Sequence, residues 1–497
     1  MNNAPGQLLK NRGLTAAAVL MLTMPLLAQP ESTLNSTNRP DFSKARQFIQ
    51  KHMVKYSNPS IAVAVARRGE ILWEEGFGWA DRENRIPATE HTMYYMASVD
   101  KSFTAVALMI LQERKQLELD RSINDYLGTG KLSSPAWNVA EATVRRVANH
   151  TAGLTTFNLG KHLPIDEIIQ RYGVIFWPPG ERFDYSNLGH KILDEVVARV
   201  SGMSHSNFMR AEVFWPLGMT HASVGISPGL EKFVAQRYSV SRGLKPIVGD
   251  GVYCSAHDLA RFGMFCLKAH LPDQKRILSD ATIDAMYDSP VSTGSSGRGK
   301  YSLSWWIDDD LFGYRGVLAQ GGTDAAQAWL RLIPSEEIVV VALANDGMMS
   351  EVMVHELVSA LLPRYAEKRA KADEKKTVQN PRETSPPTAL AGTWKGIIKT
   401  YREDIPLTFS IAESGDVHAK LGSQLTTVLN DAKFDKQRLR GRMLGDLGVE
   451  DTGQERYHLE FYLFLRDGAL KGAVETAPYP NLAFWAELKK ATESSSK

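Results

Sequence analysis

Two short apolar runs, Ile61–Val65 and Ile71–Trp73, flank Arg67-Arg68-Gly69-Glu70 and predict a β-hairpin near the start of a folded domain. At Ser98 the period changes. Phe103, Val106, Ala107, Ile110 and Leu111 recur at three- and four-residue spacing, the signature of one buried helix face. Helical spacing returns around Glu167–Arg171, Ile192–Val200 and Asp258–Leu267. Glu337–Ala344 (EIVVVALA) is instead short, continuous and β-branched, which predicts a buried strand. Strict alternation appears only late, in Ile405, Leu407, Phe409 and Ile411, and again in Tyr457, Leu459, Phe461, Leu463 and Leu465. With polar turns between such runs, residues 389–492 are expected to form a small antiparallel, β-barrel-like domain. Residues 366–388 carry charge and proline with almost no apolar side chains, and are expected to be a linker behind a larger domain at 33–365.

The first 28 residues change the picture of location. Lys10 and Arg12 precede an apolar stretch from Leu14 to Leu27 that ends at Ala28, the layout of a cleavable export signal. A periplasmic or secreted chain, with no stable membrane span after cleavage, is the expectation. Charge removes one class of partner: 58 Lys+Arg against 56 Asp+Glu leave no surplus to neutralise a nucleic-acid backbone. Two cysteines, Cys254 and Cys266, cannot frame a disulfide scaffold, and the twelve histidines show no paired-ligand spacing. No metal and no organic cofactor is expected.

Candidate chemistry begins at Ser98-Val99-Asp100-Lys101. A serine hydroxyl needs a base, and a lysine three residues on lies one helical turn away on the same face. Burial and the positive helix end would disfavour its ammonium and ready it as that base. Asp100 is read as a solvated or capping charge pointing off that face. Tyr185-Ser186-Asn187 follows the turn Pro178-Pro179-Gly180; a phenol beside a lysine relays protons, and the Asn187 amide can hold both a lysine and a substrate carbonyl. His150 is read as a structural histidine in a turn.

In order along the chain, Gly76–Asp81, Ala97–Thr104, His150-Thr151-Ala152-Gly153-Leu154, Pro179–Asn187, Pro216–Met219 and Asp258–Phe262 resemble the motifs of the serine β-lactamase and penicillin-binding-protein superfamily, most nearly its class C-like hydrolases and esterases. The likeness runs from Phe42 to Tyr365. It implies an α+β fold, an antiparallel sheet flanked by helices with an all-helical region, the site lying between them. It also implies Ser98 as acyl-accepting nucleophile, Lys101 as base partner, Tyr185 as proton relay and Asn187 as a contact to the substrate amide. The superfamily's third motif, Lys- or His-x-Gly, falls on Ala319-Gln320-Gly321-Gly322, with alanine where the cation belongs. A one-residue shift would put Gln320 there and turn the strand over. By resemblance, Gln320, Gly321 and Gly322 border the substrate and the Gly322 N–H is a second oxyanion donor. The expected activity is that of an exported serine hydrolase acting on a small ester or amide, esterase rather than β-lactamase because a substrate carboxylate lacks its cation. The alternative is a non-catalytic binding or sensing protein that keeps the pocket.

Overall fold

The computed structural model describes residues 40–156, 163–247, 251–294, 299–373, 388–435, 437–452, 457–477 and 480–491. The expected export signal, residues 1–28, lies outside them.

The hairpin forms as read: Ser60–Arg67 pairs antiparallel with Glu70–Asp81, and Arg68 and Gly69 both take positive φ (51° and 76°) in its two-residue turn. These strands belong to a nine-stranded antiparallel sheet, in the order Ile86–Pro87, Glu70–Asp81, Ser60–Arg67, Ile338–Ala344, Ala326–Ile333, Tyr314–Thr323, Trp306–Leu311, Lys300–Tyr301, Val291–Ser292. Ile338–Ala344 is buried at all seven positions because the sheet is covered on both faces. Helices Ser43–Tyr56 and Val352–Leu361 cover one, packing Ile49, Met353 and Leu357 on Val63, Val340 and Ala342. The helix Ala256–Cys266 and the region behind it cover the other, where Phe103, Phe262 and Met264 share a core with Ala64, Val341 and Leu343. The helix predicted from residue 98 onward spans Asp100–Glu113 and is buried from Lys101 to Leu111. Phe103 meets Phe214 and Phe262 edge-on, with ring centroids 5.4 and 4.6 Å apart. Cys254 and Cys266 are buried free thiols.

The expected linker is corrected at its start. Residues 366–373 continue the helix Pro363–Asp373. Buried Tyr365 anchors that helix to the covered sheet face, and Arg369 meets Glu356 at 2.9 Å. The charged run is rich in alanine, glutamate, lysine and arginine, all strong helix formers. Residues 374–387 lie outside the described ones.

The C-terminal region is a second nine-stranded antiparallel sheet, ordered Thr427–Val428, Val417–Leu421, Asp404–Ile411, Gly392–Lys399, Ala483–Lys490, Ala469–Ala477, Tyr457–Arg466, Arg438–Gly445, Asn430–Asp435. Leu407, Phe409, Leu459, Phe461 and Leu463 line its interior, as their alternation predicts. It docks on the first domain through its outer face. Trp485, Ala473 and Phe464 pack on Phe176 and Trp177, while Asp451 accepts from Tyr172 Oη at 2.5 Å and Arg171 at 2.7 Å. Phe176 and Trp177 sit in the loop that leads to Tyr185. Among the described residues no helix is long and apolar enough to cross a membrane.

Candidate functional site

A short 3-10 turn, Ala97–Val99, delivers Ser98 to the start of the helix Asp100–Glu113. Ala97 holds φ at 44°, a strained value for a residue with a Cβ and of a kind that collects at functional sites. One turn on, Lys101 Nζ donates to Ser98 Oγ at 3.1 Å. The lysine is 7% exposed.

Tyr185 approaches from the loop just before the neighbouring helix, Asn187–Ser201, which Ser186 caps by accepting from the Gly189 N–H. The preceding loop is held by the His150–Leu154 turn. Asp184 N donates to His150 O at 2.8 Å, Gly180 N to Thr151 O at 2.7 Å, and Ser186 N to His150 Nδ1 at 3.1 Å. His150 is therefore an acceptor at Nδ1, with its proton on Nε2. Burial, then the charge of Lys101, holds its pKa well below the usual value, so it stays neutral and structural. Its ring lies 4.3 Å from that of Tyr185, and Lys101 Nζ lies 5.5 Å from the Tyr185 ring centroid.

The charge state of Lys101 overturns one sequence expectation. Burial pushes the ammonium toward losing its proton, but Asp100, Tyr185 through charge and a hydrogen bond, and Asp194 together outweigh it; the pKa is raised, not lowered. Asp100 is likewise corrected from a solvated charge. It lines the site with Oδ1 shut off from solvent, 3.8 Å from Lys101 Nζ, although 37% of the side chain remains exposed. Burial pushes its own pKa up to about 6 against the pull of Lys101, with Asp194 adding to the rise.

Ser98 and Lys101 sit in a cavity of about 380 Å³ bordered by Tyr95, Asp100, Thr104, Asn187 and Gly322. His190, Lys191 and Asp194 complete its wall from the helix that begins at Asn187. These were missed. The signal was present: positions 187, 190, 191 and 194 fall on one helix face. Thr104 Oγ1 donates to Asp194 Oδ1 at 2.7 Å and ties the two helices together.

The third-motif strand, Tyr314–Thr323, settles its own register. Ala319 is 2% exposed and packs in the core shared with Phe103, on the same side as Gly321. A Cβ on Gly321 would fall 2.4 Å from both Met96 O and Ser98 N, so glycine is required for the strand to lie against the Ala97–Val99 turn. Gln320 sits on the strand between Ala319 and Gly321. It alternates to the opposite face opposite Trp329 and does not border the nucleophile cavity. No cation therefore reaches the site from this strand. Among the described residues, no group of three or more His, Cys, Asp or Glu could hold a metal ion.

The likeness to known proteins agrees with this layout. Residues 45–357 match the family model "Beta-lactamase". The putative penicillin-binding protein PbpX of Bacillus subtilis is 25% identical over 275 residues, 51% of this chain and 63% of that protein. Protein flp of Staphylococcus aureus is 22% identical, over 60% and 62% of the two chains. The chain thus spans less than two thirds of the length of these curated relatives. Among solved structures, the octameric penicillin-binding protein homologue from Pyrococcus abyssi superposes with a TM-score of 0.57 at 20% identity, covering 90% of this chain and all of that one. A class C beta-lactamase gives 0.57 at 19% identity, over 65% and 96%. At such identity the structures speak for the fold alone. The family match covers well over half the sequence, so this chain belongs to the beta-lactamase family.

Proposed function

We propose that the protein is an exported serine hydrolase that cleaves a small ester or amide through an acyl-enzyme on Ser98. The observation that carries this reading is the Lys101 Nζ–Ser98 Oγ hydrogen bond of 3.1 Å at the wall of an open cavity, with Tyr185 beside the lysine. Ser98 Oγ attacks the acyl carbon while its proton moves to the Lys101–Tyr185 pair. The backbone N–H groups of Ser98 and Gly322 receive the developing oxyanion. The pair returns the proton to the leaving alcohol or amine as the bond to it breaks. Water then adds to the acyl-enzyme, giving the pair its proton, and Ser98 leaves protonated. Because the Lys101 pKa is raised, the lysine and the phenol act as one coupled acid–base unit rather than as a free amine base; the reacting form of the pair carries one proton fewer than an ammonium beside a phenol, and that vacancy, shared between Nζ and Oη, takes the Ser98 proton.

Ester substrates are favoured over penicillins. With Ala319 at the motif's cation position, a carboxylate next to the scissile bond has no charge-assisted partner from that strand. Export rests on the apolar run Leu14–Leu27 behind Lys10 and Arg12.

The test is covalent labelling of the purified chain with a fluorophosphonate, followed by mass analysis of the peptide carrying Ser98. Labelling that Ser98→Ala abolishes, and that Lys101→Ala slows by at least a hundredfold, supports the enzyme. No labelling by any serine-directed probe favours the binding protein.

A further inference from the structure

A second cleft, of about 610 Å³, runs along the seam between the hydrolase domain and the C-terminal sheet. Tyr185, Arg182 and Thr293 of the first domain line it together with Arg438 and Arg440 of the C-terminal sheet. Alternation along Arg438–Gly445 explains the pair. Leu439 and Met443 point into the barrel core, which leaves Arg438, Arg440 and Arg442 on the outer face.

These three arginines are not equally engaged. Arg442 meets Asp431 at 2.8 Å. Among the described residues, the ion contact of Arg438 is a loose one with Asp435, at 3.9 Å. Arg440 makes no ion pair among the described residues. Arg438 and Arg440 lie instead over the rings of Phe464 and Tyr462, at 4.8 and 5.5 Å. Aromatic platforms orient a guanidinium plane without using its N–H donors. The carboxylates bordering the cleft are already committed, Glu181 to Arg466 and Asp184 to Arg182 and the Trp177 indole. Burial, and then Arg438 and Arg440 against the pull of Asp184, lower the pKa of Arg182, as expected where like charges converge.

We propose that Arg438 and Arg440 form a carboxylate subsite, contributed by the C-terminal domain, that binds an acid group at the far end of the ester or amide substrate. The proposal rests on the acyl-enzyme reading of Ser98 for what the bound molecule undergoes. The two arginines present paired N–H donors of the kind that grip a carboxylate bidentately. They stand on the Tyr185 side of the site, whereas the strand position that would serve a carboxylate beside the scissile bond is Ala319. The structure therefore favours a dicarboxylate monoester or monoamide with several bonds between its acyl carbon and its free acid, over a compact penicillin-like acid.

The experiment uses the full chain carrying Ser98→Ala, so that the ligand persists, and titrates it calorimetrically with mono-p-nitrophenyl suberate and with the methyl ester of that compound. The free acid is expected to bind at least tenfold tighter than its methyl ester, with the ratio falling as salt rises. Adding Arg438→Ala and Arg440→Ala should collapse the ratio toward one. Adding Arg438→Glu and Arg440→Glu should reverse the sign of the preference in favour of an ester ending in a trimethylammonium group, which a misfolded chain would not do. Equal affinity for acid and methyl ester, or a preference that survives removal of both arginines, overturns the proposal. Turnover by the chain with Ser98 intact is scored separately. An arginine-dependent preference without labelling of Ser98 keeps the subsite and rejects the acyl-enzyme, and labelling without the preference does the opposite.

Discussion

Replacing Gly321 by alanine tests how the nucleophile turn is held. The new Cβ would lie 2.4 Å from Met96 O and Ser98 N and 2.9 Å from Ala97 Cβ. Ordinary packing wants about 3.5 Å, so roughly 1 Å of separation must be found between strand and turn. All three contacts are to backbone or to a Cβ, and no rotamer change relieves them. Overpacking of this kind costs about 1–3 kcal/mol of stability. The larger effect is on chemistry. On the proposed function, a shift of about 1 Å at the Ser98 N–H is worth about a hundredfold in rate, or roughly 2.7 kcal/mol of transition-state stabilisation. The assay is the rate of fluorophosphonate labelling at Ser98, with urea unfolding measured on the same preparation. Gly263→Ala is the comparison, since its Cβ would fall 2.5 Å from Val339 Cγ1 in the core behind the sheet. It should destabilise the chain while labelling stays near the wild-type rate. Wild-type labelling by Gly321→Ala would refute the claim that this strand sets the geometry of the nucleophile turn.

Other outcomes follow from the charges. Asp100→Asn removes the carboxylate that raises the Lys101 pKa most, so Lys101 should lose its proton at lower pH, seen as an acid-ward shift in the pH profile of Ser98 labelling. Asp258 is fully buried and burial pushes its pKa up to about 7 from 3.8, against the His221 N–H that donates to it at 2.5 Å. A carboxyl raised in the folded state binds more protons folded than unfolded, so its ionisation drains stability as pH climbs from about 4 to about 7, by up to about 4 kcal/mol. Asp258→Asn should therefore lose less stability than the wild type between pH 4.5 and pH 8 in urea melts. Arg331, 1% exposed, meets Asp308 at 2.5 Å and Glu351 at 2.7 Å beneath the sheet. Arg331→Ala leaves both carboxylates without their shared cation and should cost about 3 kcal/mol in the same assay.

Local spacing was enough for every element whose pattern depends only on near neighbours. The helix after Ser98, the fully buried strand Ile338–Ala344 and the alternating strands of the C-terminal domain all stand where the periodicity puts them. Ser98 and Lys101 were legible for the same reason, since three residues of helix suffice to bring them together. The sequence could not give the charge on that lysine. It is decided by Asp100, whose solvent exposure depends on what packs over it, and then by Tyr185 and Asp194, which reach the site from a different helix and the loop before it. Burial alone argues for a neutral amine, and it takes Asp100 together with the neighbours that the fold brings in to reverse the sign. The third motif was ambiguous by one residue because a strand's two faces alternate, and it took the contact of Gly321 with Ser98 N to assign Ala319 and Gln320 to their sides. The docking of Trp485 and Phe464 against Trp177 was equally invisible. Residues nearly 300 positions apart in the chain become neighbours only when two separately patterned apolar faces find that each is the other's best escape from water.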